Sequence, residues 1–100
     1  MINQKNIAEL LRKDLPNLRR VYNVKRIGFF GSFAKGTQGK KSDIDIFVEF
    51  QKPLGLNFVD FAEHVENVLG RKVDAITNEG VNAIRVKDIA NSIKKGIVYV

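Results

Sequence analysis

Two aspartates stand one residue apart in the segment Ser42-Asp43-Ile44-Asp45-Ile46. On a strand, successive side chains alternate between faces, so Asp43 and Asp45 project together, away from Ile44 and Ile46. Two carboxylates held about 6–7 Å apart repel each other unless a cation or solvent offsets them. A divalent cation with oxygen ligands meets that need. Mg²⁺ in particular suits a site of few carboxylates completed by substrate phosphates. A solvated strand edge would accept the same pair without any metal.

Ten residues upstream of Asp43 lies Gly31-Ser32, at the expected junction of a strand and a helical turn. Glycine lets the backbone approach a ligand closely, and the turn that follows offers unpaired N–H groups to a phosphate. Ser32 adds a hydroxyl donor, and Lys35, one helical turn on, adds positive charge. No GxxxxGK[ST] spacing occurs, which excludes a Walker loop. A third acid, Asp74, interrupts the short apolar run Val73-Asp74-Ala75-Ile76. It reads either as an exposed position on a one-sided sheet or, if this strand pairs beside Asp43–Phe50, as a partner of the first two aspartates.

These residues need elements to hold them. Ile7, Leu10, Leu11 and Leu15 recur at helical spacing behind a cap at Asn3 or Asn6, and Pro16 is expected to break that helix or restart it through Leu18 and Val21. Val24 to Phe30 reads as a strand ending in Gly31, with a short helical turn and a loop over Ser32 to Lys41. Asp43 to Phe50 is a strand with Ile44, Ile46, Val48 and Phe50 on one face. Asn57 to Leu69 reads as an amphipathic helix stopped by Gly70, carrying Phe58, Phe61, Val65, Val68 and Leu69 on one stripe. Lys72 to Thr77 is expected as a strand and Asn78 to Asn82 as a loop. A final helix over Val86 to Lys95 rests on Ile89, Ala90 and Ile93, and a strand over Ile97 to Val100 follows it. Alternating helices and strands predict an α/β or α+β class with one small sheet.

Composition bounds the remaining possibilities. One hundred residues are expected to form one domain, 1–100, with no internal repeat or linker. An apolar content of 44% and a charged content of 28% suit a globular protein rather than a disordered tail or a fibre. The absence of cysteine excludes disulfides and thiolate metal sites. Apolar runs stop at about four residues, far below a membrane span, and MINQKNIAEL lacks a signal-like core, so a cytoplasmic location is expected. The net charge is +6, and from Leu15 to Ser42 there are no acids, only Arg19, Arg20, Lys25, Arg26, Lys35, Lys40 and Lys41 among the charges. That stretch is either a solvated basic face or a surface for an anion.

Taken together, the Gly31-Ser32-Phe33-Ala34-Lys35-Gly36 turn, the Asp43/Asp45 strand and Asp74 resemble a minimal nucleotidyltransferase of the DNA polymerase β superfamily. The spacing fits the GSx10DxD signature of that family's stand-alone antitoxin members, over about residues 24 to 100. The resemblance implies a small mixed sheet flanked by helices, in the polymerase β-like nucleotidyltransferase fold. It implies that Gly31, Ser32 and Lys35 bind the triphosphate, and that Asp43, Asp45 and Asp74 hold Mg²⁺, two ions in all. Asp74 would lie on the side of the attacking hydroxyl and assist its deprotonation. Two metals about 3.5–4 Å apart stabilise the attacking and leaving oxygens of an in-line displacement.

With the chain ending soon after Asp74, the acceptor is expected on a shallow site, another subunit or a partner protein. Family members of this size pair with HEPN-domain ribonuclease toxins, and some move AMP from ATP to a tyrosine of the toxin. By analogy this chain is expected to do the same, as the antitoxin of such a pair. Two other enzymatic or binding readings stand beside it. One is a non-catalytic antitoxin that neutralises its partner by complex formation, against which the presence of all three aspartates argues. The other is an adenylyltransferase of a small molecule such as an aminoglycoside, which usually carries an added helical domain. Nucleic-acid binding through the +6 surface, which would show a steep salt dependence, ranks below these readings, since no aromatic-interleaved platform accompanies it. His64, the only histidine, reads as a surface residue outside the chemistry, and Tyr22 and Tyr99 as core or partly buried positions.

Overall fold

Asn3 starts the first helix, α1 (Gln4–Tyr22), through a reciprocal cap: its side chain accepts from the Asn6 N–H at 3.0 Å, and the Asn6 side chain accepts from the Asn3 N–H at 3.2 Å. The computed structural model describes residues 3–39 and 43–100. Lys40, Lys41 and Ser42, on which part of the expected loop and of the basic stretch falls, lie outside the described residues.

Pro16 does not break α1, contrary to expectation. The helix runs through it to Tyr22 and ends at Asn23 in the left-handed region, with φ 57°. A proline inside a helix costs one backbone hydrogen bond and a clash with the preceding turn. Here Ile7, Leu11, Leu15 and Leu18 form one buried stripe on both sides of Pro16, and their packing carries the helix across. Leu10, expected on that stripe, lies off it and is 36% exposed.

The remaining elements follow as β1 (Val24–Phe30), α2 (Ser32–Lys35), β2 (Ile44–Phe50), α3 (Asn57–Leu69), β3 (Val73–Thr77), α4 (Asn78–Asn82), α5 (Lys87–Lys95) and β4 (Val98–Tyr99). The four strands form one mixed sheet in the order β3-β2-β1-β4. β1 runs antiparallel to β2 and to β4, while β2 and β3 are parallel. A parallel neighbour needs a crossover, and α3 supplies it. Asn78–Asn82, expected as a loop, is a helical turn capped by Thr77, whose hydroxyl accepts from the Gly80 N–H at 3.0 Å. Its Gly and Asn favour a loop locally, but Val81 is fully buried and that burial decides the local conformation. In α5 only Ala90 is buried. Ile89, expected to support the helix from within, is 53% exposed.

The two faces of the sheet are covered differently. Ile27 and Phe29 of β1 and Ile44, Ile46 and Val48 of β2 pack against α1 and α3 in one large core, together with Phe33 of α2. On the opposite face Phe47 meets Val81 and Ala90 in a small cluster edged by Phe30, Ile76, Ile84, Ile93 and Ile97. At Gly28 an added Cβ would lie 2.6 Å from the Val98 carbonyl oxygen, so β4 can close onto β1 only because this residue is glycine.

Candidate functional site

Register brings the acids together. Phe30 of β1 pairs with Asp45 of β2, and Asp45 pairs with Asp74 of β3. Residues directly opposite in neighbouring strands share a face, so Asp45 and Asp74 point to the same side as Phe47 and Ile76, toward α4 and α5. Asp43 is exposed, one residue before β2 starts and two before Asp45. The pairing that Asp74 required is therefore present. Asp74 is itself exposed, at the open edge of the sheet.

Gly31 follows β1 directly and is pressed against the same carboxylate. A Cβ built on it would collide with Asp45 Oδ2, and its φ of +73° is one that L side chains rarely adopt. Two independent reasons thus fix glycine at this position. The single turn of α2 then carries Ser32, half-buried, and Lys35, exposed. α2 is anchored by Phe33, which is fully buried in the large core, and by the Gln4 side chain, which donates to the Ala34 carbonyl at 2.9 Å.

Burial raises the Asp45 carboxyl above its usual range, and the neighbouring Asp74 and Asp43 charges push it further in the same direction. All three causes act against ionisation, and a cation would reverse them. Among the described residues no three His, Cys, Asp or Glu side chains close around one point as a complete metal cage. That donor set still fits Mg²⁺, which takes one or two protein carboxylates and draws its other ligands from phosphate and water.

Two side chains near this turn carried no motif in the sequence. Arg71 lies with its Cζ 5.3 Å from the centre of the Phe33 ring and donates to the Gly39 carbonyl at 3.2 Å, tying the start of β3 to the chain that leaves α2. Ser92 of α5 lines a cavity of about 200 Å³ together with Phe30, Gly31, Lys35, Ile93 and Gly96. Both are distant from Gly31 in the chain and only the fold brings them near. His64 stands apart from this site. Its Nε2 lies 2.7 Å from Asp14 Oδ2, so it braces α3 against α1 and is half-buried rather than free on the surface. Tyr22 packs edge-on against Phe61 with ring centres 5.7 Å apart. Tyr99 is 43% exposed, with the Arg26 guanidinium 4.9 Å from its ring centre.

Residues 7–100 match the family described as Nucleotidyltransferase domain. The chain belongs to that family. It is accordingly a transferase of nucleotidyl groups, and its mixed sheet flanked by helices is the minimal nucleotidyltransferase fold. A Methanocaldococcus jannaschii protein, provisionally named protein adenylyltransferase MJ1379, is 41% identical over 97 residues, covering 94% of each chain. A solved structure provisionally described as a minimal nucleotidyltransferase superposes with a TM-score of 0.74 at 19% identity, covering 97% of this chain and 95% of the other. A chain in the structure of a tri-AMPylated Shewanella oneidensis HEPN toxin in complex with its MNT antitoxin gives a TM-score of 0.55 at 20% identity, covering 97% of this chain and 68% of that one. At these identities the two structures speak to the fold alone. Among the described residues no helix is long and apolar enough to cross a membrane.

Proposed function

We propose that this chain transfers AMP from Mg²⁺-bound ATP to a tyrosine hydroxyl of a HEPN-type partner, acting in the cytoplasm as the antitoxin of a toxin–antitoxin pair. The observation that carries the reading is the row Phe30–Asp45–Asp74 with Gly31 pressed against Asp45. It sets the Gly31-Ser32 turn beside Asp45 and Asp74 at one end of the sheet, with Asp43 two residues before Asp45, which supports reading the turn as the phosphate grip. The HEPN partner and AMP as the group transferred to it are carried over from the AMPylated HEPN toxin complex and from the name of the archaeal relative, and the tyrosine acceptor rests on the family resemblance.

Asp43 and Asp45 would hold the metal, with Asp74 completing the acid set. Magnesium, when bound, supplies positive charge to the α-phosphate and to the pyrophosphate that leaves it. Gly31, Ser32 and Lys35 would hold the β- and γ-phosphates through backbone N–H, hydroxyl and ammonium. The acceptor hydroxyl would approach from the β3 edge and pass its proton to Asp74. Its oxygen then bonds to the α-phosphorus as the bond from that phosphorus to the bridging oxygen breaks, and pyrophosphate departs with the electron pair. No side-chain nucleophile is needed.

The test is a calorimetric titration of ATP with Mg²⁺ into the wild type and Asp45→Asn, followed by incubation of each with α-labelled ATP and the co-purified partner. We expect magnesium-dependent binding and label transfer in the wild type, both lost in Asp45→Asn. Wild-type ATP binding without any label on the partner would favour neutralisation by complex formation. Label on the partner from Asp45→Asn at the wild-type rate would overturn the metal assignment.

A further inference from the structure

We infer that Ser92 of α5 is a further substrate contact, holding the terminal phosphates of the nucleotide and the pyrophosphate that leaves. The inference rests on the function proposed above. It starts from direction. In an in-line displacement the leaving group departs opposite the attacking oxygen. The sheet orders the residues as Asp74 on β3, Asp45 on β2 and Phe30 on β1, with strands about 4.8 Å apart. With the hydroxyl entering beside Asp74 and the α-phosphate at Asp43 and Asp45, pyrophosphate is directed across the end of β1.

A cavity lies at that place. It occupies about 200 Å³ and is lined by Gly31 and Lys35 on one side and by Ser92, Ile93 and Gly96 on the other, with Phe30 between them. Two of its lining residues belong to the phosphate-gripping turn, so α5 supplies the opposite wall of the same recess. That wall is held in place twice. Ile93 packs into the small cluster around Phe47, and β4, which follows α5, pairs with β1 at Gly28 and Phe29. Ser92 has an exposed side chain whose hydroxyl has no hydrogen-bond partner among the described residues, leaving it free to donate to a phosphate oxygen.

The test titrates Mg²⁺ with ATP, with AMP and with inorganic pyrophosphate into the full chain, as wild type, Ser92→Ala and Ser92→Asp. A hydrogen bond to a charged group is worth about ten-fold or more in affinity. Ser92→Ala is therefore expected to weaken ATP and pyrophosphate about ten-fold and to leave AMP within about two-fold. Ser92→Asp, which adds like charge, is expected to weaken pyrophosphate further still. Thermal melts of both variants at this exposed position are expected to match the wild type. Unchanged pyrophosphate affinity in both variants overturns the inference, as does a loss of AMP equal to that of pyrophosphate. In either case the nucleotide site of the proposed function stands, since the wild type still binds. A wild type that binds neither ATP nor pyrophosphate overturns both.

Discussion

The two faces of the sheet divide the protein's tasks. Against α1 and α3 lies a continuous core in which Phe29, Phe33, Phe61, Leu11 and Leu18 are fully buried. Against α4 and α5, among the described residues, only Phe47, Val81 and Ala90 are buried. Asp45 and Asp74 project from the second, thinly covered face, and the recess between α2 and α5 opens on the same side. Burial of apolar area is the main source of stability, so the first face supplies most of it. The second face leaves room for a charged ligand, at the expense of leaving Asp45 with two like charges for company.

Variants can break this comparison in order of expected effect. Phe61→Ala, in the thick core, is expected to cost about 3–5 kcal/mol, read from denaturant unfolding. A loss below about 1 kcal/mol would mean that the α1/α3 face does not carry the fold. Gly31→Ala forces a Cβ into Asp45 Oδ2 at a strained φ, so transfer of α-labelled AMP is expected to fall at least about a hundred-fold, the effect of misplacing reacting groups by about 1 Å. Near-wild-type transfer would show that the Gly31-Ser32 turn and Asp45 do not act together. Val81→Ala, in the small cluster, is expected to cost about 1.5–2.5 kcal/mol. A cost equal to that of Phe61→Ala would erase the difference between the faces.

The smallest effect sharpens the comparison through pH. Asp45 is raised above its unfolded value, so its contribution to stability is fully present below the unfolded carboxyl pKa and is lost as pH rises through the folded one. At neutral pH without divalent cation, Asp45→Asn is therefore expected to melt higher than the wild type, by no more than about 4 °C because solvent screens a partly exposed group. The gap should close in acid and also on adding Mg²⁺ to the wild type. A variant that melts lower at neutral pH would contradict the mutual repulsion of the three acids.

Much of the site was legible because strand geometry is periodic. Alternation placed Asp45 away from Ile44 and Ile46, although Asp43, expected to open that strand, precedes it, and the Gly31-Ser32 turn fell at the end of a strand that the structure bounds at Phe30. Asp74 could be read only conditionally, since nothing local to Val73–Thr77 says which strand lies beside it. The errors have one cause. Pro16 and the Asn78–Asn82 run carry local signals for a break and a loop, and in both places buried apolar side chains outweigh them. Ser92 and Arg71 carried no local signal at all.

The sequence alone determined that Asp45 points away from Ile44 and Ile46 and that the chain turns at Gly31, because these follow from steric rules within a few residues. Which acid faces which, and which wall closes the recess, was decided by the tertiary structure. The parallel pairing of β2 with β3 sets Asp45 beside Asp74, and the return of α5 and β4 onto β1 sets Ser92 on the lining of the same cavity as Gly31. Those contacts join positions far apart in the chain, and they form only where burial of the two apolar clusters offsets the entropy of closing the loops between them.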